Sequence, residues 1–157
     1  FFLFFIFLSS LLFLNLRNKL YLGDSGSYLL GFLFSSFLII IFNENQTISP
    51  FFIILLLWYP CFENLFSITR KFIVKKNPSK PDTEHFHHFL YSYLLRKYNI
   101  SSIVSSNLTG LFIGIYNLTI FWIALQDIKH TKFQIYLIIL SIGIYICLYY
   151  VIKKKLK

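Results

Sequence analysis

The sequence predicts an all-α membrane protein with about five transmembrane helices and one cytoplasmic amphipathic helix or loop. Three observations lead there. Of the 157 residues, 57% are hydrophobic and 13% charged, whereas a typical soluble domain carries roughly 25% charged residues. Mean hydropathy is +0.66, too high for a chain that must cover itself with polar surface. The apolar residues also come in long blocks, several approaching the about 20 residues that a helical span requires. Runs such as Phe37-Leu38-Ile39-Ile40-Ile41-Phe42 lack the alternation of a barrel strand. Lipid offers backbone N–H and C=O groups no partner, so these blocks are expected to be helices.

Taken in order, the first span covers 1–16 and is followed by a polar loop, 17–27. The second covers 28–42 and ends at Asn43-Glu44-Asn45-Gln46-Thr47. The third covers 50–69 and is interrupted by Pro60 and Glu63. A long polar segment, 70–99, precedes the fourth span, 103–125. The loop 126–132 leads to the fifth span, 133–152, and a lysine-rich end. The whole of 1–157 reads as one transmembrane domain. Met is absent, so Phe1 reads as the edge of a fragment or of a processed chain. A signal peptide over the first residues is disfavoured, because neither a basic n-region nor a small-residue cleavage site is present. Cys61 and Cys147 fall inside apolar blocks and read as inert packing residues, with no disulfide or thiolate metal site implied.

Lysine and arginine set the orientation. The loops 17–27 and 70–99 and the C-terminal end hold 13 of the 15 basic residues, and only Lys129 and Lys132 lie on the other side. The basic side is therefore expected in the cytoplasm. The net charge of +9 is a topology signal, and a nucleic-acid partner is excluded because these residues flank membrane spans.

Three constellations could carry chemistry. The first is Leu22-Gly23-Asp24-Ser25-Gly26-Ser27, just before the second span. Its glycines let the backbone turn tightly and approach a ligand, and the N–H groups of the following helix start favour phosphate. Asp24 is then a hard oxygen ligand for Mg²⁺, or else Asp24 or Ser25 is a helix N-cap. The Gly-Asp-Ser-Gly of trypsin-like proteases belongs to a water-soluble β fold and does not apply.

The second is Pro81-Asp82-Thr83-Glu84-His85-Phe86-His87-His88, with three of the four histidines. Ser79-x-x-Asp82 has the form of a capping box. After it, Phe86, Phe89, Leu90, Tyr93 and Leu94 recur at helical spacing. This describes an amphipathic helix lying at the cytoplasmic surface, with His85, His88, Ser92 and Arg96 on its opposite face. On such a helix His87 points well away from His85, so one metal shared by all three would need local unwinding.

The third is Pro60, Glu63 and Arg70. A carboxylate inside a span is expensive and functional by default. Glu63 and Arg70 lie seven residues apart on one helical face, so both could look into a common cavity; alternatively Glu63 pairs with another helix.

In this order the three constellations resemble the C-terminal half of the polyprenyl-phosphate N-acetylhexosamine-1-phosphate transferases, the WecA/TagO/MraY-like membrane family. Gly23-Asp24-Ser25-Gly26-Ser27 with Leu30-Gly31-Phe32 is similar to the family's Gly-Asp-x-Gly-Ser loop and its helix. Pro60-x-x-Glu63 with Phe66-Ser67 and Arg70 resembles the Pro-x-x-Asp/Glu helix that ends in a basic residue. Pro81-Asp82-x-x-His85-x-His87-His88 resembles the Pro-Asp-Arg-x-His-x-His-His loop, with Thr83 where many relatives have arginine. The resemblance covers most of 19–91, and the last two spans fit in topology only.

The resemblance implies transfer of a sugar 1-phosphate from a UDP-N-acetylhexosamine to polyprenyl phosphate, with release of UMP. It implies a multi-pass protein of the inner (cytoplasmic) membrane with its site facing the cytoplasm, and it admits a homodimer. It also implies Mg²⁺, with Mn²⁺ as the alternative, bound by Asp24. His85, His87 and His88 join Asp24 as catalytic residues, and Gly23, Ser27, Glu63, Arg70 and Asp82 contact substrate. Asp24, Glu63, Arg70 and the segment from His85 to His88 are expected to converge on one cytoplasmic cavity. The family's paired aspartates lie in its N-terminal half and no Asp-Asp occurs here, so this chain alone is expected to be inactive. The competing class is a transporter or scaffold subunit that uses Glu63 and the histidines for ion or partner contacts. Membrane di-iron oxidation would need further histidine boxes.

Overall fold

A computed structural model of the chain describes residues 2–17, 19–75, 77 and 84–156. Among these, every regular element is helical: α1 Phe2–Leu16, α2 Gly23–Glu44, α3 Pro50–Leu56, α4 Trp58–Ile73, α5 Phe86–Tyr98, α6 Ser102–Ala124, a 3₁₀ turn Leu125–Asp127, and α7 Thr131–Leu156. Three are long and apolar enough to cross a membrane: α2, α6 with its 3₁₀ extension, and α7. A fourth span results if α3 and α4, bent by 72°, are taken together. Among the described residues this gives three or four spans beside the about five expected, and α1, apolar throughout its 15 residues, is the expected first span below the about 20 residues of a full crossing. Their outward faces are apolar, with Phe32, Ile115, Trp122 and Ile139 all exposed. Such surface suits lipid rather than water.

The expected third span is two helices, and proline chemistry explains where it breaks. Pro60 has no N–H to donate to the carbonyl of Leu56, and its ring collides with that carbonyl. Helix α3 therefore stops at Leu56, and Leu57 turns the chain with φ −105° and ψ 5°. The start of α3 is closed by Ser49, whose hydroxyl accepts the Phe51 N–H at 3.3 Å, with Pro50 at the first helical position.

The chain falls into two compact units, Phe1–Asn45 and Gln46–Lys157, each described by itself. In the first, the rings of Phe4 and Phe37 lie 5.9 Å apart and join α1 to α2. Helix α2 starts at Gly23 rather than near 28, and Gly23 has φ +66°, a left-handed conformation that glycine adopts without steric cost. Within α2, Ser35 and Ser36 donate to the carbonyls of Gly31 and Phe32 at 2.8 Å each, which satisfies their hydroxyls inside an apolar helix.

In the second unit, α6 and α7 form a hairpin. The Gln134 amide donates to the carbonyls of Ala124 at 3.0 Å and Asp127 at 2.7 Å, closing acceptors left open at the end of α6. At the same end, the Ser49 N–H donates to Ile128 C=O at 2.9 Å, and the hydroxyls of Ser49 and Thr131 lie 3.1 Å apart. The two loops expected opposite the histidines therefore share one end of this unit.

Helix α5 departs from expectation. It does not spread its apolar stripe on a membrane surface but runs alongside the last turns of α7. Phe86 packs against Tyr145 at 5.2 Å and Phe89 against Tyr149 at 5.3 Å, and Arg96 donates to the Leu156 carbonyl at 3.3 Å. Phe86 and Leu90 are buried in the core. The pattern of α5 is amphipathic as read, but a helix face and a lipid face make the same apolar demand. Cys61 and Cys147 are both free and exposed, not packed inside as expected. In an apolar span the outward face is the lipid face.

Candidate active site

The site in the second unit is organised by Glu63, which stands on α4 and is buried at 7% exposure. Its Oε1 accepts the Phe86 backbone N–H at 2.9 Å and lies 3.1 Å from His85 Nδ1. Its Oε2 accepts the Tyr145 hydroxyl at 2.7 Å. A buried carboxylate is tolerated only when its lone pairs are met in this way. Arg70, farther along α4, donates to the Glu84 carbonyl and to the Tyr149 hydroxyl, and its Nε lies 3.9 Å from Glu84 Oε2. Tyr149 in turn donates to the Glu84 carbonyl at 3.2 Å. Lys153 donates to Glu84 Oε2 at 2.7 Å.

Glu84, His85 and Phe86 are thus held through both backbone and side chains, from α4 on one side and α7 on the other. Glu63 and Arg70 do share a target, as their spacing implied, and that target is the chain just before α5. The alternative in which Glu63 pairs with other helices is the arrangement observed, with α5 and α7 as partners.

The histidines are arranged differently from a continuous helix. His85 is the N-cap of α5, with φ −78° and ψ 152°, so its ring leaves the chain before the helix begins. The His85 and His87 rings stack at 5.5 Å with planes 17° apart. His87 and His88 lie 4.4 Å apart, and His85 and His88 6.3 Å. The expectation that His87 points away from His85 is overturned, because it assumed a helical His85. His87 and His88 are exposed. Partial desolvation holds the His87 imidazole below its ordinary range, and the adjacent His88 lowers it further.

The first helical bond of α5 runs from Phe89 N–H to His85 C=O at 3.2 Å. The Phe86 N–H is taken by Glu63, while the amides of His87 and His88 have no acceptor within the helix. The segment thus offers imidazole rings and helix-start amides together, a combination suited to phosphate oxygens. Among the described residues, no group of three or more His, Cys, Asp and Glu is arranged to hold a metal ion. Asp82 lies outside the described residues, as do Pro81, Thr83 and Ser79 of the motif and of the capping box.

In the first unit, Gly23 and Asp24 lie in the first turn of α2 and Ser27 one turn on, rather than in a loop before it. Leu22 is the N-cap and no side chain caps this helix, so neither Asp24 nor Ser25 has the capping role. Asp24 is exposed, with its carboxylate at the positive end of the helix dipole. The Ser27 hydroxyl is spent on the Gly23 carbonyl at 2.8 Å. Sequence reasoning missed Glu84, Tyr145, Tyr149 and Lys153 as parts of the site. The signal available was that Tyr145, Tyr149 and Lys153 recur every fourth residue, placing three polar groups on one face of an apolar helix.

Known proteins bear on this arrangement. An undecaprenyl-phosphate alpha-N-acetylglucosaminyl 1-phosphate transferase of Thermotoga maritima is 37% identical over 98 residues, covering 59% of this chain and 32% of that protein. A Bacillus subtilis protein described as a "probable undecaprenyl-phosphate N-acetylglucosaminyl 1-phosphate transferase" is 33% identical over 76 residues, covering 48% of this chain and 21% of its own length. The chain is similar to these transferases over a partial region. The resemblance carried by the three motifs is supported to that extent, and the chain spans about a third or less of the length of these relatives. No family model and no solved structure matches it.

Proposed function

We propose that this chain is the part of a polyprenyl-phosphate N-acetylhexosamine-1-phosphate transferase that handles the nucleotide-sugar phosphates, at the cytoplasmic face of the inner membrane. In the reaction, an oxygen of the lipid phosphate attacks the sugar-linked phosphorus of a UDP-N-acetylhexosamine. The bond from that phosphorus to the bridging oxygen breaks, UMP leaves, and a lipid-linked diphospho-sugar forms. The observation that carries the reading is the histidine segment. Glu63, Arg70, Tyr145 and Tyr149 hold Glu84, His85 and Phe86, which brings three imidazoles and the amides of a helix start together, in a chain similar to named transferases over part of its length.

Each residue has work in this scheme. His85, His87 and His88 donate hydrogen bonds to phosphate oxygens as negative charge moves onto the leaving UMP. Glu63 and Arg70 fix the segment, which keeps the donors in place before substrate arrives. Asp24 is the carboxylate that this reading gives to a divalent cation. It is an exposed, uncapped carboxylate at a helix start, and Mg²⁺ is commonly held by one or two carboxylates together with waters and substrate phosphates. Bound there, Mg²⁺ or Mn²⁺ would neutralise pyrophosphate charge.

The test is Asp24→Asn in the complete transferase, with Mg²⁺-dependent UMP release from UDP-N-acetylglucosamine and undecaprenyl phosphate as the readout. Loss of turnover in a variant that still inserts is the expected result, because the amide keeps the shape but loses the charge. Near-normal turnover would remove Asp24 from the metal role.

A further inference from the structure

The last helix has no part in the motifs, yet its side chains reach the histidine segment. Tyr145 and Tyr149 are one turn apart on α7, almost fully buried at 1% and 0% exposure. Each spends its hydroxyl on a group that governs this segment. Tyr145 donates to Glu63 Oε2 at 2.7 Å, and the other oxygen of that carboxylate meets His85 Nδ1 at 3.1 Å and Phe86 N–H at 2.9 Å. Tyr149 donates to the Glu84 carbonyl at 3.2 Å while accepting from Arg70. Their rings close the same contact from the apolar side, since Phe86 lies 5.2 Å from Tyr145 and Phe89 5.3 Å from Tyr149.

Packing alone explains the rings but not the hydroxyls. Phenylalanine would fill the same space, and a buried hydroxyl is costly unless bonded. Here both hydroxyls are bonded to the residues that orient His85 and the start of α5. We propose that Tyr145 and Tyr149 are positioning residues for the nucleotide-sugar phosphates, acting through Glu63 and Glu84 on the histidines. The proposal rests on the transferase reading for its substrate, but the mechanical link from α7 to residues 84–88 does not depend on it.

The experiment compares wild type, Tyr145→Phe and Tyr149→Phe in the complete transferase in detergent. Two things are measured: steady-state UMP release with each substrate varied in turn, and amide hydrogen exchange of the peptide covering 84–90. Losing one such hydrogen bond is expected to raise KM for the UDP-sugar about three- to tenfold, leave KM for undecaprenyl phosphate unchanged, and speed exchange in 84–90 but not in α6. In a His85→Ala background the KM effect of Tyr145→Phe should vanish, since the ring it helps to orient is gone.

Unchanged exchange in 84–90 in both variants overturns the proposal. A KM shift shared equally by both substrates, or a lowered melting temperature with both KM values intact, overturns it as well. If Tyr145→Phe fails to fold, Tyr149→Phe decides by the same criteria. If wild type itself releases no UMP, the transferase reading falls, and the exchange measurement alone then decides whether the two tyrosines hold the segment.

Discussion

The carboxylate of Glu63 closes the first turn of α5 from another helix, through the Phe86 N–H at 2.9 Å. An N-cap side chain normally does this from within the same turn, and His85, the N-cap here, makes no side-chain cap. Glu63→Ala should therefore be severe, since it leaves buried donors from Phe86 and Tyr145 without an acceptor. A loss of about 3–5 kcal/mol is expected, as for other broken buried charge networks. Glu63→Gln keeps an oxygen for the Phe86 N–H and should cost only about 1–2 kcal/mol. Denaturant or thermal unfolding in detergent would rank the two, and equal losses would mean that the Phe86 bond contributes little.

His88→Ala should reduce kcat/KM for the UDP-sugar about tenfold and leave Mg²⁺ dependence intact. It removes one exposed donor and not the proposed metal carboxylate. A shift in the Mg²⁺ requirement would instead place His88 on the metal.

The histidine segment should respond to acid in a definite direction. Folding lowers the His87 pKa, below the about 6.5 of an unfolded histidine. The unfolded segment therefore takes up its proton first as pH falls. The stability contributed by neutral His87 is fully present above about pH 6.5 and declines as pH falls through its lower folded value. With the intrinsic base catalysis of exchange divided out, the protection factors of the 84–90 amides should then be higher at pH 7.5 than at pH 5.5, and His87→Gln should flatten that difference.

Side-specific labelling tests the orientation. In a protein with Cys61 and Cys147 replaced by serine, cysteines at Thr47 and Lys129 should label from one side of the membrane and a cysteine at Lys75 from the other. The first two positions flank Ser49 and Ile128, which are bonded at 2.9 Å, so a split between them would contradict the fold itself.

Composition and block length made the helices legible, and the positions of α6 and α7 followed to within a few residues, while α2 begins five residues before its expected start. Motif spacing brought out the histidines, Glu63 and Arg70. Three things were not legible, each because a local pattern has no knowledge of its partner. The apolar stripe of α5 could have met lipid or protein, and it met α7. The break at Leu57 precedes its cause, because Pro60 acts on a carbonyl one turn upstream. The clustering of the three histidine rings depends on His85 having extended backbone, which follows from Glu63 and Arg70 fixing the chain there and not from residues 85–88 themselves.

The bonds from α7 also bear on biogenesis. Tyr149 follows Glu84 by 65 positions and Tyr145 follows Glu63 by 82, so neither pair can meet until a ribosome has made α7. Glu63 and Arg70 can engage residues 84–86 soon after these are synthesised, but that grip stays half-built until α7 is threaded into the membrane. A transcript cut short before Tyr145 would still encode every histidine and both α4 residues, yet its product would leave the buried Glu63 and the Glu84 carbonyl each without a hydroxyl partner. Assembly of this site is thus completed only when α7 arrives, well after its histidines have been made.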